Sequence, residues 1–190
     1  MMYADEAVRH SLNAVYRTYR REAQWASREL LEEKPFRLIG SDWMLITAGS
    51  RERFNTMTAS WGGLWVLWER KVAFCFIRPA RYTYEFVEQH GGFSLSFFSG
   101  EYRKALRFCG SHSGRDIDKI HETGLTPVHA DGFVHFAEAR LVLHCRKLYT
   151  QDLRPDRFLD DSLDRLYPQN DYHRMYVGEI VRCLERKNAS

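Results

Sequence analysis

The sequence predicts a mainly β fold with helical inserts, a barrel or a sandwich and not a doubly wound sheet. Three observations carry this. Short runs rich in Val, Ile, Phe and Trp recur after Pro35, each bounded by Gly, Pro, Asn or Asp. The helical patterns between them are short and scattered. Neither GxGxxG nor GxxxxGK[ST] occurs anywhere.

Taken in order, residues 5–33 read as one amphipathic helix. Val8, Leu12, Val15 or Tyr16, Tyr19, Ala23 and Leu30 fall on one stripe, and Pro35 stops it. This divides the chain into a helical extension, 1–34, and a β domain, 35–190. Strands are predicted at 43–48, 72–77, 93–98, 134–145 and 175–184. Helices are predicted at 82–90, closed by Gly91, at 101–108, and at 116–122, followed by Gly124. The acidic, Pro-bounded stretch 154–170 reads as a surface loop or a short helix.

Composition bounds the class. The chain has 190 residues, of which 44% are hydrophobic, 28% charged and 14% aromatic. That is an ordinary soluble domain with many rings, which can fill a core or stack on a flat ligand. A net charge of +3 is too small and too dispersed for nucleic acid. The longest apolar run, 61–68, falls far short of the roughly 20 residues of a membrane span, so no membrane is expected. Cys75, Cys109, Cys145 and Cys183 are widely spaced and suit neither zinc nor a disulfide frame. They read as reduced core residues of a cytoplasmic protein.

Three segments could carry chemistry. In Asn55-Thr56-Met57-Thr58-Ala59-Ser60-Trp61, side-chain donors and acceptors alternate above a low surface, as the edge of a heteroaromatic ring requires. A half-exposed strand has the same look, and by itself that reading is the stronger. In Arg78-Pro79-Ala80-Arg81-Tyr82-Thr83, two guanidiniums stand at a helix start, where the dipole disfavours them unless an anion lies between. Gly110-Ser111-His112-Ser113-Gly114-Arg115-Asp116 is a polar loop entering a helix, either a mobile flap or a loop with Ser113 as its cap. No Ser/His/Asp or Cys/His set converges, and His112 is given no catalytic role.

Together these stretches resemble the flavin-reductase-like family of the FMN-binding split-barrel superfamily, particularly its flavoredoxin-like and nitrilotriacetate-monooxygenase-component-B-like branch. The resemblance runs through Phe54-Asn55-Thr56-Met57-Thr58-Ala59-Ser60-Trp61-Gly62-Gly63-Leu64 and Arg78-Pro79-Ala80-Arg81-Tyr82-Thr83-Tyr84-Glu85-Phe86. It continues in Phe93-Ser94-Leu95-Ser96-Phe97-Phe98, in Ser113-Gly114-Arg115-Asp116-Ile117-Asp118-Lys119, and in Asp171-Tyr172-His173-Arg174-Met175-Tyr176-Val177-Gly178-Glu179-Ile180.

The resemblance implies a Greek-key split barrel, a homodimer, and FMN near the subunit interface. By analogy Asn55–Trp61 edges the isoalloxazine and ribityl chain. Arg78, Arg81 and Thr83, with Tyr82 between them, hold the phosphate, and the backbone around Ser96, Phe97, Phe98 and Ser99 lines the pocket. It further implies an NAD(P)H-dependent flavin reductase that hands reduced flavin to a monooxygenase or another redox partner. The alternatives are a non-enzymatic FMN electron carrier and a flavin-binding protein without turnover. The cofactor does the redox chemistry, so no protein acid or base is required.

The chain departs from the pattern in three places. Shorter relatives lack a helix like 5–33, the Gly-Asp-His signature of the NADH:flavin reductases is missing, and Trp65 stands where Gly is common. Trp65 either packs in the barrel core or covers one face of the flavin.

Overall fold

The computed structural model describes residues 35–186. The amphipathic stretch 5–33 therefore lies outside the described residues. The domain opens on one helical turn, Phe36–Ser41, which buries Leu38 and Ile39. Seven strands form one antiparallel sheet: β1 (Met44–Gly49), β2 (Phe54–Ala59), β3 (Gly62–Leu67), β4 (Arg70–Ile77), β5 (Gly92–Phe97), β8 (Leu141–Asp152) and β9 (Arg174–Glu185). A two-stranded hairpin, β6 (Pro127–Ala130) and β7 (Phe133–Phe136), stands apart. The helices are α1 (Tyr82–Gln89), α2 (Arg103–Ser111) and α3 (Lys119–Thr123).

The strand order β2-β1-β5-β8-β9-β4-β3 places β2 and β3 at opposite edges. Yet only Ser60 and Trp61 separate them in the chain. Six strand spacings laid flat would span roughly 29 Å. The three steps from Ala59 to Gly62 reach only about 11 Å. The sheet must curl until its edges nearly meet. No hydrogen-bonded ladder joins β2 to β3 among the described residues, so the seam stays open and the barrel is split.

The core gathers where α2 and the β6–β7 hairpin close one side of the curl. Leu45, Phe98, Leu106, Cys109, Leu125, Phe136 and Val142 pack there. Cys75, Cys109 and Cys145 are buried free thiols, in line with the sequence reading. Burial raises the pKa of all three, so they behave as small hydrophobes. No helix among the described residues is long and apolar enough to cross a membrane.

Several expected boundaries move. The stretch 134–145 is two strands, because Glu138 accepts the Thr126 N–H and Arg140 donates to the Phe97 carbonyl, which turns the corner onto the sheet. Helix α1 ends at His90 in extended conformation and not through a left-handed Gly91. Gly124 does close α3 in the left-handed region, at φ 66°. That helix starts later than expected because Asp118, not Ser113, caps it by accepting from the Ile120 and His121 N–H groups. The stretch 101–108 is a tight turn, Gly100–Tyr102, running into α2. Two short helical turns, Pro155–Arg157 and Asp161–Leu166, fill the acidic stretch. Trp65 is mostly exposed, so the core alternative for it fails.

Candidate functional site

Strand β2 is largely buried, not the half-exposed strand its composition describes, because α1 and α2 both pack on it. Its hydroxyls are accordingly spent. Thr56 Oγ1 lies 2.9 Å from Thr47 Oγ1 and donates to the Ile46 carbonyl, while Thr58 Oγ1 donates to the Leu106 carbonyl. The expectation that both hydroxyls present free donors to a ring does not hold here. Buried hydroxyls without water must find protein partners.

Asn55 ties the strand to the start of α1: its Nδ2 donates to Thr83 Oγ1 at 2.8 Å. The 113–119 loop closes over the same amide. A Cβ at Gly114 would stand 2.1 Å from Asn55 Oδ1, so only glycine permits this approach.

Three cavities flank β2. The first, about 310 Å³, is lined by Met57, Arg81, Tyr82, Thr83, Arg115 and Lys119, with Ser113 and Asp116 at its loop side. The second, about 330 Å³, is lined by Asn55, Thr56, Gly114, Arg115 and Lys119 among others. The third, about 430 Å³, lies between Trp43, Thr58, Ala59, Ser60 and α2. The fold thus brings β2, the start of α1 and the Gly/Ser loop to one place, although 28 residues separate Asn55 from Thr83.

The electrostatics of the first cavity are unbalanced. Lys119 is only 5% exposed, yet among the described residues its ammonium donates only to the carbonyls of Thr56 (2.8 Å) and Cys109 (2.9 Å). Burial, with the charge of Arg81 acting in the same direction, pulls its pKa down to about 8. Arg81 donates to the Gly110 carbonyl at 2.7 Å, and its pKa is lowered by burial and then by Arg78. Arg115 is paired with Glu85. A buried lysine and a half-buried arginine therefore face one cavity, and among the described residues their hydrogen-bond partners are carbonyls. Burying like charges together is costly unless an anion completes the site. The first turn of α1 carries no side-chain cap, which leaves its N–H groups on the same side as Tyr82 and Thr83.

Arg78 lies elsewhere. Its Nη1 donates to both Asp171 carboxylate oxygens at 2.9 and 3.0 Å, its Nη2 to the Leu166 carbonyl, and it stacks over Tyr167. The expected Arg78–Arg81 pair is split, because the β8–β9 connection supplies a carboxylate that local sequence spacing does not reveal. Ser96 and Phe97 are buried in β5, Phe98 packs in the core cluster, and Ser99 binds Glu101. None of the four lines these three cavities. Trp61 packs against His173 with ring centres 4.9 Å apart and planes tilted by 45°, and the Tyr167 hydroxyl lies 2.9 Å from His173 Nδ1. Burial, then Arg78, lowers the pKa of His173 to about 4 and keeps the ring neutral.

Lys119 is the residue that sequence reasoning missed. The signal was the one used for Arg81: a cation in the first turn of a helix, opposed to the dipole.

A split barrel with a cation-lined cavity at its outermost strand is an arrangement suited to a phosphorylated ligand. The chain belongs to the flavin reductase like domain family, whose model matches residues 36–190. It is a flavin reductase-like protein by that membership. Solved structures share the fold. Flavoredoxin from Methanosarcina acetivorans is 21% identical, covers 77% of this chain and 69% of its own, and superposes with a TM-score of 0.62. The FMN-binding protein from Thermus thermophilus with bound p-hydroxybenzaldehyde is 20% identical, covering 83% and 75%, with a TM-score of 0.61. The NADH:FAD oxidoreductase of Streptomyces globisporus C-1027 is 16% identical, covering 84% and 81%, with a TM-score of 0.58. No curated protein matches the sequence.

Proposed function

We propose that the domain binds FMN with its phosphate in the first cavity and works as an NAD(P)H-dependent flavin reductase. The single observation that carries the cofactor assignment is the pair Arg81, half-buried, and Lys119, buried, at one cavity with no carboxylate partner among the described residues. A phosphate dianion supplies the missing charge, and a helix start with free N–H groups supplies further donors. Bound FMN supplies the hydride chemistry.

The protein's own contribution is holding and positioning. Arg81, Lys119 and the N–H groups of Tyr82 and Thr83 grip the phosphate. Asn55, locked to Thr83, fixes the distance between the phosphate end and β2. Ala59 and Ser60, beside Trp61, border the strand end toward the third cavity, where a flat ring has room. His173, neutral and anchored by Tyr167, offers that end a hydrogen-bonding group that carries no charge at neutral pH.

The test is a titration of purified protein with FMN and riboflavin by fluorescence quenching, followed by NADH and NADPH oxidation with catalytic and with excess FMN. FMN binding at least about tenfold tighter than riboflavin supports the phosphate site. Equal affinities overturn it. Turnover of either nicotinamide supports the reductase. Tight FMN with no nicotinamide oxidation favours an electron carrier that takes its electrons from another protein.

A further inference from the structure

The amine at the first cavity is placed as a nucleophile as well as a cation. Lys119 Nζ donates to the Thr56 carbonyl of β2 at 2.8 Å and to the Cys109 carbonyl of α2 at 2.9 Å. A tetrahedral nitrogen has four directions. The side chain takes one and the two carbonyls fix two more, which leaves a single direction for a ligand. In the ammonium that direction carries the third N–H. In the neutral amine it carries the lone pair.

Neutral amine is present at mildly alkaline pH. Burial lowers the pKa of Lys119 to about 8, so near that pH about half the molecules hold the lone pair free. An ordinary exposed lysine, near 10.4, is then less than about 1% neutral. Among the described residues Lys119 is also the one amine in the lining of the first cavity, whose other titratable groups are Arg81, Tyr82, His112, Arg115 and Asp116.

Lys147 shows what carbonyl capture alone does not provide. Its Nζ donates to the carbonyls of Val87 and Glu88, and burial lowers its pKa too. Those carbonyls belong to the last turn of α1, the negative end of the helix, and Lys147 lines none of the three cavities. Lys119 instead shares its cavity of about 310 Å³ with the positive end of α1, at Tyr82 and Thr83, and with Arg81 and Arg115. A phosphate is repelled at one end of α1 and held at the other.

We propose that Lys119 captures small phosphorylated aldehydes as an imine, with the phosphate held by Arg81 and the start of α1. This rests on reading the first cavity as a phosphate site. The lone pair adds to the aldehyde carbon, both amine protons leave with the aldehyde oxygen as water, and C=N replaces C=O. The imine nitrogen takes one proton from solvent, and its N–H faces one of the two carbonyls that held the amine. Nothing is oxidised or reduced, and the step is reversible. The aldehyde occupies the place of the FMN phosphate, so capture and FMN binding exclude each other.

The test treats the full chain with pyridoxal 5′-phosphate near pH 8, fixes imines with borohydride and maps the adducts by peptide mass. Borohydride delivers hydride to the imine carbon and leaves a stable secondary amine. One adduct per chain is expected, on Lys119, formed at least about tenfold faster than on Lys147 or any exposed lysine. Saturating FMN should block it. Pyridoxal, which lacks the phosphate, should label Lys119 at least about tenfold more slowly. Lys119→Arg should abolish the adduct and Lys147→Arg should leave it unchanged. Should Lys119→Arg fail to fold, the wild-type map decides alone. Adducts scattered over exposed lysines, or none on Lys119, would overturn the proposal. The two readings fail differently. Pyridoxal 5′-phosphate that competes with FMN yet leaves Lys119 unmodified sinks the imine and spares the phosphate site. Equal labelling of Lys119 by pyridoxal and its phosphate, with no protection by inorganic phosphate, sinks both.

Discussion

Lys119 donates to the carbonyl of Thr56 at 2.8 Å, across 63 residues of chain. This contact puts a lysine of the candidate cavity's lining against the strand that borders all three cavities. Two carbonyls engage two of the ammonium's three donors, and the third is available to a ligand.

Replacing Lys119 with Met should therefore weaken FMN by about 1.5–3 kcal/mol, the worth of a hydrogen bond to a charged group. Riboflavin should be nearly indifferent. The pH dependence has a fixed sign. With a pKa near 8 in the free protein, Lys119 is charged below that value and progressively neutral above it. A phosphate favours the charged form, so FMN affinity should be full near pH 7 and fall as pH rises beyond about 8. Titrations from pH 7 to 10 check this. A flat profile, or an equal fall for riboflavin, would remove Lys119 from the phosphate site.

Arg81→Ala and Arg78→Ala should separate cleanly. The first removes a cavity cation and should lower FMN affinity by about 1.5–3 kcal/mol while sparing riboflavin. The second leaves Asp171, a mostly buried carboxylate, without its partner, and should cost about 1–3 kcal/mol of stability. It should leave the ratio of FMN to riboflavin affinity unchanged. Urea denaturation and ligand titration on both variants decide the matter. A selective FMN loss in Arg78→Ala would restore the arginine pair that the sequence implied.

These two arginines also mark how far the sequence could be read. The β class, the Gly124 stop and the helix start at 82 follow from local patterns of period, turn residue and dipole. The role of Arg78 depends on Asp171, 93 residues away in the β8–β9 connection, and no local pattern reports such a pairing. The hydroxyls of Thr56 and Thr58 mislead for the same reason. Their alternation describes a strand with one wet face, but α2 covers that face and takes the Thr58 hydrogen bond. Trp65 misleads in reverse, because an isolated sequence cannot tell a core tryptophan from one at a bare edge.

Gly114→Ala tests whether the loop must lie against Asn55. The new Cβ would fall 2.1 Å from Asn55 Oδ1, so the loop or the amide has to move. Overpacking of this kind costs typically 1–3 kcal/mol. Displacing Asn55 also breaks its bond to Thr83, so FMN affinity should fall with stability. In Asn55→Ala the obstacle is gone, and adding Gly114→Ala to it should cost much less than Gly114→Ala alone. A double-mutant cycle on the denaturation midpoints measures this coupling. Strict additivity would mean that the loop does not rest on the amide.

Acid should unfold the domain through His144 in particular. This ring is fully buried between Phe133, stacked on it at 4.6 Å, and His135, whose Nδ1 lies 3.3 Å from its Nε2. Its own Nδ1 has no hydrogen-bond partner among the described residues. Burial, then the neighbouring His135 and Arg182, lowers its pKa to about 4, and the opposing effect of Asp131 is smaller. In the unfolded chain the same group titrates near 6.5. Between these values the unfolded state binds a proton that the folded state refuses, so stability falls as pH drops from about 6.5 to about 4 and levels off below. The loss over that window is on the order of 3 kcal/mol from this ring alone. His144→Leu removes the titrating group and should flatten the profile by that amount, whatever it costs at pH 7.5. Urea midpoints of both proteins at pH 7.5 and 4.5 give the comparison. An unchanged acid sensitivity in His144→Leu would place the acid-labile group elsewhere, with His173, also lowered to about 4, the next to substitute.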